Sequence, residues 1–63
     1  MRFELFQDRQ SFWRWRFVTS HGNVIASSAD AYVYRHDCEE TINLIRSVDV
    51  RVPIEVASDH GYG

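Results

Sequence analysis

The five residues from 36 to 40 could bind a metal ion, because they include a histidine, a cysteine and three carboxylates. His36 and Glu40 are four positions apart, a spacing that places two side chains on one face of a helix. A structural metal site needs four converging ligands, however, and the residues between these two point elsewhere on a helix. His21 and His60 are too isolated in the sequence to complete a ligand set. We therefore expect no metal and no cofactor.

Cys38, Glu39 and Glu40 are the next candidates for catalytic residues. Cys38 could act as a nucleophile only with a base and an orienting partner beside it. His36 lies two residues away, which on a helix directs it to another side. Cys38 is better interpreted as a small buried apolar residue. Glu39 and Glu40 fall in the first turn of a predicted helix, where they favour the positive end of its dipole. The sequence contains no phosphate-binding glycine loop, so we predict no catalytic residues and no enzyme.

Aromatic residues and arginines alternate over residues 12–18. In an extended strand Trp13, Trp15 and Phe17 line one face, and Arg14 and Arg16 line the other. An aromatic face could stack on nucleic-acid bases. A chain this short, however, depends on its aromatic residues for burial. We interpret the aromatic face as core beneath a helix.

Arg14 and Arg16 are therefore the best candidates for a ligand site. Phe6 and Glu4 of a preceding strand are expected on the same face. An open sheet face with arginine and an aromatic residue could bind an anionic small ligand or single-stranded nucleic acid. The alternative is a solvated face on which Arg14 or Arg16 pairs with Glu4 across the strands. We favour the solvated face and keep the ligand face as the alternative.

The small size of the chain limits the ways in which it can be stabilised. Its 63 residues suffice for one domain with a thin core. Domains this small usually need disulfides, a metal or oligomerisation. Cys38 is the only cysteine, which excludes a disulfide within the chain and is typical of a reducing compartment. We therefore predict a cytoplasmic protein that forms a homodimer.

The charge pattern limits the classes of partner that the protein could bind. All seven basic residues are arginine, and nine acidic residues give a net charge of -2 at pH 7. This balance argues against non-specific binding to nucleic acid. The absence of lysine fits a bias in genomic base composition or a salt-rich habitat, although a halophile usually carries a larger acidic excess. No run of residues has the pattern of a signal peptide or a membrane span, so we expect no membrane.

Alternating apolar residues predict three strands in an antiparallel meander, at residues 2–7, from residue 12 to about 19, and at 24–28. The polar residues 8–11 make a four-residue hairpin connection. Gly22 and Asn23 tolerate positive φ and supply the second turn. Residues 29–35 form a loop whose Tyr32 and Tyr34 pack back on the domain.

A helix follows the loop. Asp37 is predicted as its N-cap, with Glu40 three residues later as the capping-box partner. The helix should end near residue 47 or 48. Its apolar stripe consists of Cys38, Ile42 and Ile45, widened by Thr41, Leu44 and Val48.

Residues 50–56 alternate again and predict a fourth strand, in which Pro53 favours an edge position or a bulge. The connection from the helix is very short, so this strand can hardly return to its own sheet. A β-β-β-α-β monomer and exchange with a partner chain both stay open. Residues 57–63 are expected to be a flexible tail. The predicted core and dimer residues are Phe3, Leu5, Trp13, Trp15, Phe17, Ile42, Ile45, Val50, Val52 and Ile54.

Several segments together resemble the YegP-like proteins, a family whose function is not characterised. The resemblance spans residues 3–56 and rests on Phe3-Glu4-Leu5-Phe6 with Asp8, Trp13-Arg14-Trp15-Arg16-Phe17, Gly22-Asn23-Val24-Ile25-Ala26-Ser27, Tyr32, Ile42, Ile45 and Arg46. It implies a β-β-β-α-β unit that occurs as tandem repeats or as two subunits. Two units form one continuous sheet and exchange their final strands. This chain has one unit, so it resembles the two-subunit version.

No established activity comes with the resemblance. The sequence therefore predicts an α+β homodimer over residues 1–56 with a structural or protein-interaction role and a protein partner of unknown identity.

Overall fold

The computed structural model describes residues 1–57, which form a three-stranded antiparallel sheet and one α-helix. The strands are β1 (Arg2–Gln7), β2 (Trp13–Val18) and β3 (Val24–Ser27), and the helix is α1 (Arg35–Arg46). The strands lie in the order β1-β2-β3, so that β2 is central and the other two are edges. The predicted α+β class and the three-stranded meander are confirmed.

The register of the sheet separates two faces. Phe3 lies opposite Phe17, and Leu5 lies opposite Trp15. On the other face Glu4 lies opposite Arg16. β2 and β3 pair over a shorter length, with an irregularity between Phe17 and Val18. Since side chains alternate along a strand, the aromatic residues of β2 share a face with the apolar residues of β1, as predicted.

The first turn depends on an aspartate. Asp8 Oδ1 accepts hydrogen bonds from the backbone N–H groups of Gln10 and Phe12, at 2.9 and 3.0 Å. Ser11 has a φ of 69°, which a residue with a side chain seldom adopts. The loop covers residues 8–12, one residue more than predicted. In the second turn Gly22 has a φ of 88°, a conformation that glycine adopts without steric cost.

The helix begins earlier than predicted. Its N-cap is Tyr34, which makes no side-chain capping bond, and Asp37 lies inside the first turn. The prediction of Asp37 as the cap is therefore wrong. Arg35 pairs with Glu39 at 3.3 Å in the first turns, and such i,i+4 pairs stabilise helical geometry there. The C-cap is Ser47, close to the predicted end.

The core lies between the sheet and α1. Its buried residues are Trp15, Cys38 and Ile42, and Phe3, Leu5, Trp13, Phe17 and Tyr32 pack against them. The Phe3 and Trp15 rings meet edge to face, with centroids 5.5 Å apart, a favourable aromatic geometry. Ile45, predicted as a core residue, is 36% exposed and does not belong to this cluster.

The two loop tyrosines differ. Tyr32 forms a backbone bridge with Trp13, and its hydroxyl is 2.9 Å from the Thr41 hydroxyl. Tyr34 is 69% exposed, so the prediction that it packs back on the domain is wrong. Its position as the N-cap, at the edge of the helix, leaves its ring without a surface to cover it.

Residues 50–56 do not form the predicted strand within the single chain. Val50 and Ile54, predicted as core or dimer residues, are 99% and 100% exposed, and Val52 is 53% exposed. A turn closed by the Val52 N–H on the Asp49 carbonyl, at 3.0 Å, follows the helix instead. The physical reason is that a strand needs a neighbour for its hydrogen bonds, and this segment has none among residues 1–57. Beyond residue 57, the predicted tail lies outside the described residues.

Candidate functional site

The open face of the sheet carries the predicted ligand residues. Arg16 Nε donates to Glu4 Oε1 at 2.7 Å, across β1 and β2. Arg2 Nε donates to the other oxygen of the same carboxylate at 2.8 Å. The Arg16 guanidinium also lies 4.6 Å from the centre of the Phe6 ring, within cation–π range. Glu4 therefore links two arginines that stand on neighbouring strands.

Arg14 belongs to a second ion pair on this face. Its Nε donates to Asp8 Oδ2 at 2.7 Å, while the other Asp8 oxygen accepts the backbone bonds of the turn. The strand pattern predicted only Glu4 as a partner for Arg14, so the pairing with Asp8 was not expected. The available signal was the spacing of Asp8 two positions after Phe6, because residues two apart extend the same face of a strand.

These contacts lower the pKa of both carboxyl groups. For Glu4 the largest cause is the hydrogen bond from Arg16, followed by that from Arg2. For Asp8 it is the hydrogen bond from Arg14, with further contributions from the turn N–H groups. Both carboxylates are thus stabilised in the charged form. Arg2, Arg14 and Arg16 are all engaged with carboxylates, so an anionic ligand on this face would have to compete with existing ion pairs.

The start of the helix has no converging ligand set. His36 Nε2 lies 3.0 Å from Glu40 Oε1, in the i,i+4 arrangement expected from the sequence. Both side chains are exposed, and residues 1–57 contain no group of three or more His, Cys, Asp or Glu side chains that could hold a metal ion. Cys38 has no exposed surface, and burial, followed by the charge of Glu39, raises the pKa of its thiol. A buried thiol with a raised pKa is a poor nucleophile.

A groove runs between β1 and α1 and has a volume of about 750 Å³. Phe3, Leu5 and Ile42 contribute apolar surface to it. Met1 and Arg2 border it on the strand, and Asn43 and Arg46 border it on the helix. The groove therefore adjoins the free edge of β1, next to the core. No sequence pattern predicted this groove, because a groove depends on how the helix packs on the sheet.

α1 is too short to cross a bilayer, and no other helix occurs in residues 1–57. The fold defines the class of protein. It is a small α+β domain with one helix on one face of a three-stranded meander.

The sequence signature of the family described as Domain of unknown function (DUF1508) matches residues 8–49. The chain belongs to this family, and the resemblance to YegP-like proteins is confirmed. The UPF0339 proteins NMB1088 of Neisseria meningitidis serogroup B and NMA1193/NMA1859 of serogroup A are each 26% identical to it over 55 residues. The alignment covers 87% of this chain and 96% of each relative.

A solved structure supports the same fold. The solution NMR structure of a protein from Haloferax volcanii is similar to this chain, with a TM-score of 0.68 and 30% sequence identity. The match covers 87% of this chain and 93% of the other. The family description names no activity.

Proposed function

We propose that this protein is a non-catalytic structural or protein-interaction module that acts as a homodimer, in which each chain gives residues 50–56 to its partner. The observation that carries the proposal is the exposure of this segment. Val50, Ile54 and Val56 are 98–100% exposed, although the core contains few large apolar residues. Alternating apolar side chains are typical of a strand with one buried face. Exposed apolar patches mark interaction sites.

The sheet offers a place for such a segment. β1 is an edge strand of six residues, and an edge strand presents unpaired N–H and C=O groups that favour pairing with another chain. β3 is the other edge, but it has only four residues. The groove beside β1 contributes apolar surface that a partner's valine and isoleucine side chains would cover.

The exchange would also relieve the limitation of size, because a second copy adds buried apolar surface that one chain of this length cannot provide. The proposal places the module in the cytoplasm, where a buried free thiol such as that of Cys38 stays reduced.

Light scattering on a gel-filtered sample tests the dimer. We expect close to twice the chain mass of 7.4 kDa. A chain that ends at residue 49 should lose the dimer and much of its stability, whereas one that ends at residue 57 should keep both. A folded monomer of the full chain at micromolar concentration would contradict the proposal. So would a shortened chain that remains dimeric.

A second candidate function is binding of an anionic small ligand or single-stranded nucleic acid to the open sheet face. One observation favours it: Arg2, Arg14 and Arg16 meet only two carboxylates, so the face has a positive excess in a chain of net charge -2. Fluorescence anisotropy with a labelled single-stranded RNA tests it, together with retention on heparin. R14A/R16A should abolish a signal that R9A leaves intact, and no signal with the wild-type chain would exclude nucleic acid.

A further inference from the structure

Along β1, the N–H and C=O groups of successive residues point alternately toward β2 and toward the free edge of the sheet. The Asp8 N–H donates to the Phe12 carbonyl at 2.9 Å, which extends the register of β1 with β2. Hydrogen-bonded pairs alternate along an antiparallel ladder, so the even-numbered residues of β1 bond to β2. The backbone bonds of Trp13 and Trp15 run to the other side of β2, as this pattern requires. Phe3, Leu5 and Gln7 therefore direct their N–H and C=O groups to the free edge.

The same residues also face the groove or the core side of the sheet. Phe3 and Leu5 line the groove. A strand that covers the groove with its apolar residues must place Val50, Val52 and Ile54 opposite the odd-numbered residues of β1. Side-chain direction and backbone direction are then both determined, and the only remaining choice is parallel or antiparallel pairing.

Pro53 decides between these two directions. In a parallel pairing, the residues that donate to the odd-numbered residues of β1 are those flanking the apolar ones, namely Arg51, Pro53 and Glu55. Proline has no N–H, so the centre of a parallel pairing would lack a donor. In an antiparallel pairing Val50, Val52 and Ile54 donate, and Pro53 points away from β1, where no donor is needed.

The chain's own segment can approach β1 only in the parallel direction. α1 starts beside the Gln7 end of β1, since the Arg35 guanidinium lies 5.6 Å from the Trp13 ring and Trp13 pairs with Gln7. Its last residue, Arg46, borders the groove with Met1 and Arg2. The four Cα steps from Arg46 to Val50 span at most about 14 Å. An antiparallel strand would have to begin about 20 Å away, at the Gln7 end.

We propose that residues 50–56 pair antiparallel with β1 of the partner chain, with Val52 opposite Leu5, and that Pro53 prevents the segment from closing on its own β1. This inference rests on the proposed homodimer and names its interface. The turn at Asp49 opens in the process, because the Val52 N–H that closes it then donates to the partner's strand.

The register of this pairing is determined by the length over which the two strands overlap and by the charges that face each other. With Val52 opposite Leu5, all seven residues of the segment meet residues 1–7. Glu55 then lies opposite Arg2, whose side chain is 56% exposed and can accept a second carboxylate. Arg51 lies opposite Phe6. A shift of two residues in one direction leaves Glu55 beyond the strand, and a shift in the other direction puts Glu55 opposite Glu4, where like charges repel.

Paired cysteines test the register directly. Arg2 and Glu55 form a non-hydrogen-bonded pair in it, with Cα atoms about 4.5 Å apart, a distance that a disulfide bridges. In a C38A background, R2C/E55C should oxidise to a covalent dimer of twice the chain mass. R2C/R51C reports parallel pairing and E4C/E55C reports the shifted register, and both should stay uncrosslinked under the same oxidation.

The outcomes separate the two proposals. A wild-type chain that is monomeric by light scattering overturns the homodimer itself. A dimer in which R2C/E55C fails to crosslink, or E4C/E55C crosslinks instead, overturns the register alone. R2C/E55C or R2C/R51C could instead form a disulfide within one chain, which would be seen as a monomer mass with no free thiol. That result overturns the role given to Pro53.

Discussion

At the scale of single residues, the two carboxylates on the open face should make the fold sensitive to acid. Their pKa values in the folded chain are lowered by arginine hydrogen bonds. The unfolded chain then binds more protons in acid, so stability is complete above the ordinary carboxyl range and falls as the pH drops through the folded pKa values. Urea midpoints, followed by tryptophan fluorescence, should decrease from about pH 5 to about pH 3.

The matched control is E4Q/D8N. This variant should be less stable than the parent at neutral pH and should show a flatter acid dependence, because two of the responsible groups no longer titrate. Part of the acid dependence should remain in this variant, because the hydrogen bond from Arg51 also lowers the pKa of Asp49. An acid dependence identical in both proteins would contradict the stabilising role of these ion pairs.

Cys38 is expected to act as a structural residue. Its side chain has no exposed surface. C38S puts a hydroxyl where no water reaches, and we expect a loss of about 1–3 kcal/mol in the free energy of unfolding if the hydroxyl finds no partner. C38A lacks the polar group and should be the milder change. The native thiol should react with a thiol reagent only as the protein unfolds, and fast reaction without denaturant would show that it is accessible.

At the scale of elements, Pro53 separates strand exchange from self-closure. P53A restores the missing N–H, so a parallel pairing within one chain becomes possible. At equal concentration we expect a larger monomer fraction than in the parent, measured by light scattering over a dilution series. R51A is a suitable control, since it shortens a side chain on the same face of the segment as Pro53 but changes no backbone donor. An unchanged equilibrium in P53A would show that the short connection alone enforces exchange.

At the scale of the whole molecule, folding and assembly should be coupled. Each chain contributes a thin core, so the dimer interface should supply a share of the stability. The midpoint of thermal unfolding should therefore rise with protein concentration, as mass action requires for a dimer. A midpoint that is independent of concentration over about a hundredfold range would contradict this coupling.

Much of the local structure could be predicted from the order of residues. Alternation located the three strands almost to the residue, and the stripe of Cys38 and Ile42 identified the helix and its buried face. The helix start was wrong because capping patterns compete, and a side chain such as Asp37 fits either the cap or the first turn. The Arg14–Asp8 pair was missed because Asp8 was assigned to the turn, although its spacing from Phe6 continues the open face of β1.

The sequence by itself determined which side chains share a face, since the period of a strand or helix follows from backbone geometry alone. It also determined that one chain has little core, and it contains the proline that bears on the pairing direction. Only the tertiary structure decided where the helix ends relative to β1, which edge of the sheet lies beside an apolar groove, and that residues 50–56 remain exposed. Those features depend on contacts between residues far apart in the chain, which no local pattern encodes.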